Sequence, residues 1–124
     1  MQLSDRFLER IAGGQIEICI GNELFRGKIK AAVVIGSSSK NGNTKWVHFI
    51  PLWIASKSGQ RWVAGVPHPN NILAQLDAFR QVSEAEDKNF KFVVDEATIT
   101  LFLPDSDGLL DPSKVEGLTE EEKG

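Results

Sequence analysis

The stretch VVIGSSSKNGNTKWVHFIP, residues 33–51, decides which fold class this chain enters. An apolar run feeding a Gly- and Ser-rich loop that ends in Asn-Thr has the composition of a phosphate cradle, whose backbone N–H groups point at an anion. A cradle of that kind needs a helix to begin directly after the loop, because the helix N-terminus supplies the free N–H groups and the favourable end of the dipole. Here Trp46, Val47, Phe49 and Ile50 follow, which are strand formers, and Pro51 would fall inside any helix begun near Thr44, at a cost of about 3 kcal/mol. The residues therefore predict strand, loop, strand, with Gly36 to Thr44 as a flexible hairpin loop.

The same loop resembles the phosphate loop of flavodoxin-like FMN reductases, in which a strand precedes a similar Gly-Ser to Asn-Thr run. That family opens with its loop after the first strand, whereas this chain places a helix and a hairpin first. A Walker A loop does not fit either, since Gly36 and Gly42 are one residue too far apart and Asn43 stands at the lysine position. No flavin, nucleotide or other cofactor is expected.

Working back from the loop, ELFRGKIKAAVVI places Phe25, Gly27, Ile29, Ala31, Val33 and Ile35 on one face, and in QIEICI the residues Ile16, Ile18 and Ile20 alternate with Glu17 and Cys19. A two-residue turn at Gly21-Asn22 sets Ile20 opposite Glu23, Ile18 opposite Phe25 and Glu17 opposite Arg26. Before this hairpin, Leu3, Phe7, Leu8 and Ile11 share a helical face, Ser4 can cap the first turn, and Gly13-Gly14 can stop the helix. Working forward, Lys45 to Ala55 reads as a strand bent or bulged at Pro51. A turn at Ser58-Gly59 would put Ala55 opposite Trp62, with Trp53 diagonal to it on the same face. Ile72, Leu73, Leu76 and Phe79 then mark a second helix near residues 70–83. FKFVVDEATITLFLP gives a last long strand, or a hairpin turning near Asp95-Glu96 and closed by Pro104. The expected fold is α+β: a small curved antiparallel sheet, or a partly open SH3- or Sm-like barrel, with two helices.

Residues 3–35 resemble the first half of the Sm-like (LSm and Hfq) fold. A short helix leads into IEICIGNELFRGKI, and Glu23 to Ile29 follow the family's acidic, apolar, aromatic, Arg, Gly, Lys, apolar run. The resemblance implies a glycine at Gly27 that allows strong strand curvature. It does not bring the family's RNA pocket, because Val34 and Ser37 stand near where its Asp and Asn would fall.

At 124 residues, 41% hydrophobic and 25% charged, the chain fits one globular domain with a single core. The longest apolar stretches are short and interrupted, which predicts a soluble, cytoplasmic protein with neither a membrane span nor a secretion signal. One cysteine, Cys19, and two histidines argue against a disulfide or a structural zinc site. The net charge of −3 is uneven: the last twenty residues hold seven acids against two lysines. Their Pro, Gly and acidic content predicts that residues 1–104 form the domain and 105–124 a flexible acidic tail, in which Leu109, Leu110 and Leu118 leave room for a short docking segment.

Catalytic constellations are not expected. His48 and His68 lack a neighbouring nucleophile motif, and Asp95-Glu96 reads as a turn. Arg26, Lys28 and Lys30 alternate along one strand, a basic stripe that Lys40, Lys45 and Arg61 could extend, with Trp46, Trp53 and Trp62 available to stack on unpaired bases. The same alternation is also what solvation of an outward sheet face produces. The expectation is a non-catalytic binding module that recognises single-stranded nucleic acid through Arg26, Lys28, Lys30, Trp46, Arg61 and Trp62. The alternative is a protein-interaction or scaffold subunit that uses a sheet edge or the acidic tail, with self-association as homo-oligomers through open edges.

Overall fold

A computed structural model of the chain describes residues 5–36, 46–65, 73–75, 89–94 and 96–123. Helix α1, Asp5–Ile11, stops at Gly13, whose φ of 89° is the left-handed conformation expected of a helix-ending glycine. The Ser4 cap lies outside the described residues. Strands β1 (Gln15–Ile20) and β2 (Glu23–Ile35) form the hairpin in the register that side-chain matching demands: Ile18 opposite Phe25, Glu17 opposite Arg26 and Ile20 opposite Glu23.

Strand β3, Trp46–Ser58, runs antiparallel to β2 up to the pair Ile35–Trp46. A strand thus follows the Gly- and Ser-rich stretch of sequence, as the bulky residues after it require. Residues 37–45 themselves lie outside the described residues. The β2–β3 register shifts twice around Ile29, where Ile29 faces Pro51, so that Leu52 on one strand and Lys30 on the other have no opposite number. The strand is bulged at Pro51, as expected. On the far side of β3, β4 (Arg61–Ala64) pairs with Ala55–Ser58 and β5 (Leu73–Gln75) with Trp46–His48, leaving Pro51 in the gap between them, where a residue without an N–H is tolerated.

Two expectations are corrected on this side of the sheet. The turn between β3 and β4 is Gly59-Gln60, both with positive φ, so Ala55 faces Ala64 and Trp62 faces Lys57. Two left-handed residues in succession make the turn whose twist matches its flanking strands, which outweighs a Ser58-Gly59 turn. Leu73 begins a strand against the edge of β3 and is not part of a helix begun at Asn70 or Asn71, because an open strand edge offers backbone hydrogen bonds that local periodicity does not foresee. The rest of the 70–83 helix expectation lies outside the described residues.

The hairpin reading of the later stretch holds: β6 (Asn89–Val94) and β7 (Ala97–Phe102) are antiparallel, and β7 returns to pair with β1 along its whole length. The sheet order is β6-β7-β1-β2-β3-β4-β8, where β8 is Val115–Glu116, with β5 beside β3, and among the described residues its two ends are not joined. One face carries the main core: Ile16, Ile18, Phe25, Ile29, Phe49, Ile99 and Leu101, with Ile11 of α1 against them. Gly27 belongs to that face. A Cβ there would lie 2.9 Å from the Trp53 carbonyl oxygen and 3.1 Å from Ile54 Cγ1, so the crossing of β2 and β3 requires glycine.

The acidic tail is the largest correction. Residues 105–123 do not trail away from the domain. They cross the other face of the sheet through a 3-10 turn (Pro112–Lys114), strand β8 (Val115–Glu116), which adds to β4 in parallel, and a final helical turn α2 (Glu120–Lys123). Val115 and Leu118 are buried and Leu110 is half-buried against the sheet. Leu110 and Leu118, two of the leucines with room to dock, do so, and Val115 joins them. The architecture is α+β, a mixed sheet with two short helices among the described residues. No helix among them is long and apolar enough to cross a membrane.

Candidate functional site

The second face of the sheet holds the most structured polar arrangement among the described residues. Alternation puts Gln15 and Glu17 of β1, Thr100 and Phe102 of β7, Arg26 and Lys28 of β2, and Trp53 and Ala55 of β3 on this side, opposite the main core. Thr100, Glu17, Arg26, Ala55 and Ala64 stand directly across from one another in one row.

Arg26 is the centre of the row. Its guanidinium ion-pairs with Glu17, as the hairpin register foretells, and its Nη1 donates to the Gln15 carboxamide oxygen at 3.2 Å and to the Gly108 carbonyl at 2.8 Å. It lies over the Phe102 ring, 4.5 Å from the centroid, and reaches the Trp62 ring at 6.0 Å. Its side chain is 11% exposed, so this cation serves the interior of the layer. Gln15, 3% exposed, does the work of a neighbouring strand. Its Nε2 donates to the Leu110 carbonyl at 2.7 Å, and its Oε1 accepts from the Leu110 N–H at 2.8 Å. Below them Val115 and Leu118 sit with Trp53 and Ala55, flanked by Leu52, Trp62, Ala64 and Leu110.

The expected binding residues are thus dispersed in role. Arg26 is internal. Lys28 is half-buried beside it, opposite Trp53. Lys30 is exposed but falls at the bulge, so the regular stripe ends at Lys28. Arg61 is exposed and pairs with Glu116 at 2.7 Å. Trp62 is half-buried in the second layer, and Trp46 is half-buried at the opposite end of β3. Lys40 and Lys45 lie outside the described residues, as does His68, while His48 is exposed on β3. Residue types alone did not single out Gln15, Phe102, Val115 or Glu116. The available signal was the polar parity of Gln15 and Glu17, together with the leucines already marked as a docking segment.

Cys19 is a half-buried free thiol, pushed up in pKa by burial and by the Glu17 carboxylate, which keeps it in the unreactive protonated form. A shallow cleft of about 430 Å³ runs between α1 and the outer half of β2, lined by Leu8, Ala12, Ala31 and Ala32, with Val33 and Val34 38% and 41% exposed. No group of three or more potential metal ligands occurs among the described residues. No family model, curated protein or solved structure matches the chain.

Proposed function

We propose that the chain is a non-catalytic binding module that works by protein contact through its sheet. The observation that carries this reading is the handling of the segment after β7 on the second face: Gln15 grips the backbone of Leu110 on both its N–H and its C=O, and the Trp53 and Trp62 layer takes the side chains. Main-chain pairing with alternate side-chain pockets is the grammar of strand addition between proteins. On this reading the bulged, bent sheet is a partly open Sm- or SH3-like barrel used for peptides, and the exposed Val33 and Val34 beside the α1 cleft favour a second contact edge, for self-association.

Single-stranded nucleic acid is the competing reading, and Arg26 separates the two. With its guanidinium held by Glu17, Gln15 and the Gly108 carbonyl, it has little left to offer a phosphate. Indole fluorescence titrated with a short mixed-sequence single-stranded oligonucleotide, at low and high salt, tests this. The expected result is no saturable quenching, and an Arg26→Ala variant that is less stable but equally indifferent to the oligonucleotide. Saturable quenching that weakens with salt and is lost in Arg26→Ala would overturn the protein reading.

A further inference from the structure

Among the described residues, residues 105–123 meet the sheet at local anchors that include the Gln15 grip on Leu110, the Arg26 bond to Gly108, a two-residue parallel ladder between Trp62-Val63 and Val115-Glu116, and the apolar seats of Val115 and Leu118. The Arg61–Glu116 pair, with side chains 69% and 52% exposed, adds little. Between the two attachment points the 3-10 turn buries no residue and is held by its own bonds, Ser113 N–H to the Asp111 carboxylate and Lys114 N–H to the Asp111 carbonyl. Beyond Leu118, Thr119 and Glu122 cap the last helical turn reciprocally. The segment therefore makes its local structure by itself and meets the sheet at separate anchors.

The fit beneath it is incomplete. Among the described residues, Arg26 Nε and Trp53 Nε1 are buried in this layer without an acceptor, and each such donor costs about 1–3 kcal/mol relative to a paired one. A segment that docks over unpaired donors is held less firmly than the two-sided strand pairs elsewhere in the sheet.

Resting on the protein-contact reading above, we propose that residues 105–123 are a displaceable occupant of a peptide groove. Its ligand in trans is a segment of a partner protein that takes the same turn-containing path over the same anchors: an apolar residue in the place of Leu110, then, after four residues that form the turn, the run apolar, acidic, glycine, apolar of Val115 to Leu118. The acidic position faces Arg61, and the glycine position is set by Gly117, whose φ of 85° excludes most side chains. The chain's own segment acts as a built-in competitor. A ligand reads only the fraction of molecules in which the groove is open, so its apparent affinity falls by that fraction.

The probe is a synthetic peptide of residues 105–124, which has no tryptophan and leaves the indoles of the full chain as reporters. It is titrated into the full chain and into a full-length Val115→Asp/Leu118→Asp variant, whose own segment cannot seat. The expected result is saturable binding to the variant, at least about tenfold weaker binding to the unaltered chain, and none with a peptide carrying the same two substitutions. No binding to a variant that retains the sheet by circular dichroism would overturn the proposal. Native-state hydrogen exchange of the unaltered chain guards against a variant that does not fold. The Leu110 and Glu116 amides should exchange through an opening that leaves β1 and β7 protected, and exchange only by global unfolding would equally overturn it. Oligonucleotide binding defeats the protein-contact reading, whereas a chain that binds neither oligonucleotide nor peptide defeats this inference alone.

Discussion

The two faces of this sheet are built from alternate residues of the same strands, and they are covered in different ways. On one face Ile16, Ile18, Ile99 and Leu101 meet Phe25, Ile29 and Phe49 in a continuous apolar core in which several side chains are wholly buried. On the other face Glu17, Arg26 and Thr100 stand in one row with Gln15 in the row beside it, roofed by a segment that contributes Leu110, Val115 and Leu118. The first face is closed by non-directional burial, which tolerates small shifts. The second depends on a few directional bonds with defined partners, which makes it specific and cheap to open.

That contrast can be broken from either side. Leu101→Ala, at a site with no exposure, should cost about 2–5 kcal/mol and lower the whole denaturation transition by loss of transfer free energy and creation of a cavity. Arg26→Met should cost less, about 1–3 kcal/mol, because it strands the Glu17 carboxylate and the Gly108 carbonyl, and hydrogen exchange should accelerate most at Leu110. If Leu101→Ala opened only its own side while Arg26→Met unfolded everything, the division into a global and a local face would be wrong.

The main face was legible in the sequence, and most of the second was not. Period-two alternation in QIEICI and ELFRGKI fixes both the hairpin register and the Glu17–Arg26 pair, since one residue of slip would turn every isoleucine to the wrong side. The bulge at Pro51 was readable for a similarly local reason, the missing N–H. The roof was not readable, because its partners, Gln15 and Leu110, are ninety-five residues apart and neither residue type advertises the other. Arg26 was only partly readable: the hairpin register pairs it with Glu17, while its contacts with Phe102 of β7 and with the Gly108 carbonyl come from residues far along the chain. The Gly59-Gln60 turn was missed because glutamine rarely takes a positive φ.

Smaller perturbations sharpen the same comparison. Glu116→Gln should change global stability by no more than about 1 kcal/mol, since both partners of its ion pair are largely exposed, and should raise segment opening slightly in hydrogen exchange. The smallest effect concerns Asp111, whose carboxyl is held below its ordinary range by the Ser113 N–H. A depressed pKa contributes stability above the unfolded value, about 4, and loses it as the pH falls through the folded value. The Ser113 amide shift in an acid titration should report that loss, with the β1 and β7 amides unmoved; simultaneous movement of all of them would mean that the roof and the sheet melt as one.

The placement of β1 between β2 and β7 also has a consequence during synthesis. Its first edge is satisfied as soon as residues 23–28 are made, but its second waits for Ala97–Phe102, some eighty residues later. At roughly 5–20 residues per second the nascent chain carries that open isoleucine-bearing edge for about 4–16 s. The hairpin is thus the early folding unit and the β7 closure the slow, long-range step. Crowding on the ribosome should matter most in that interval, when another nascent chain can take the place reserved for β7.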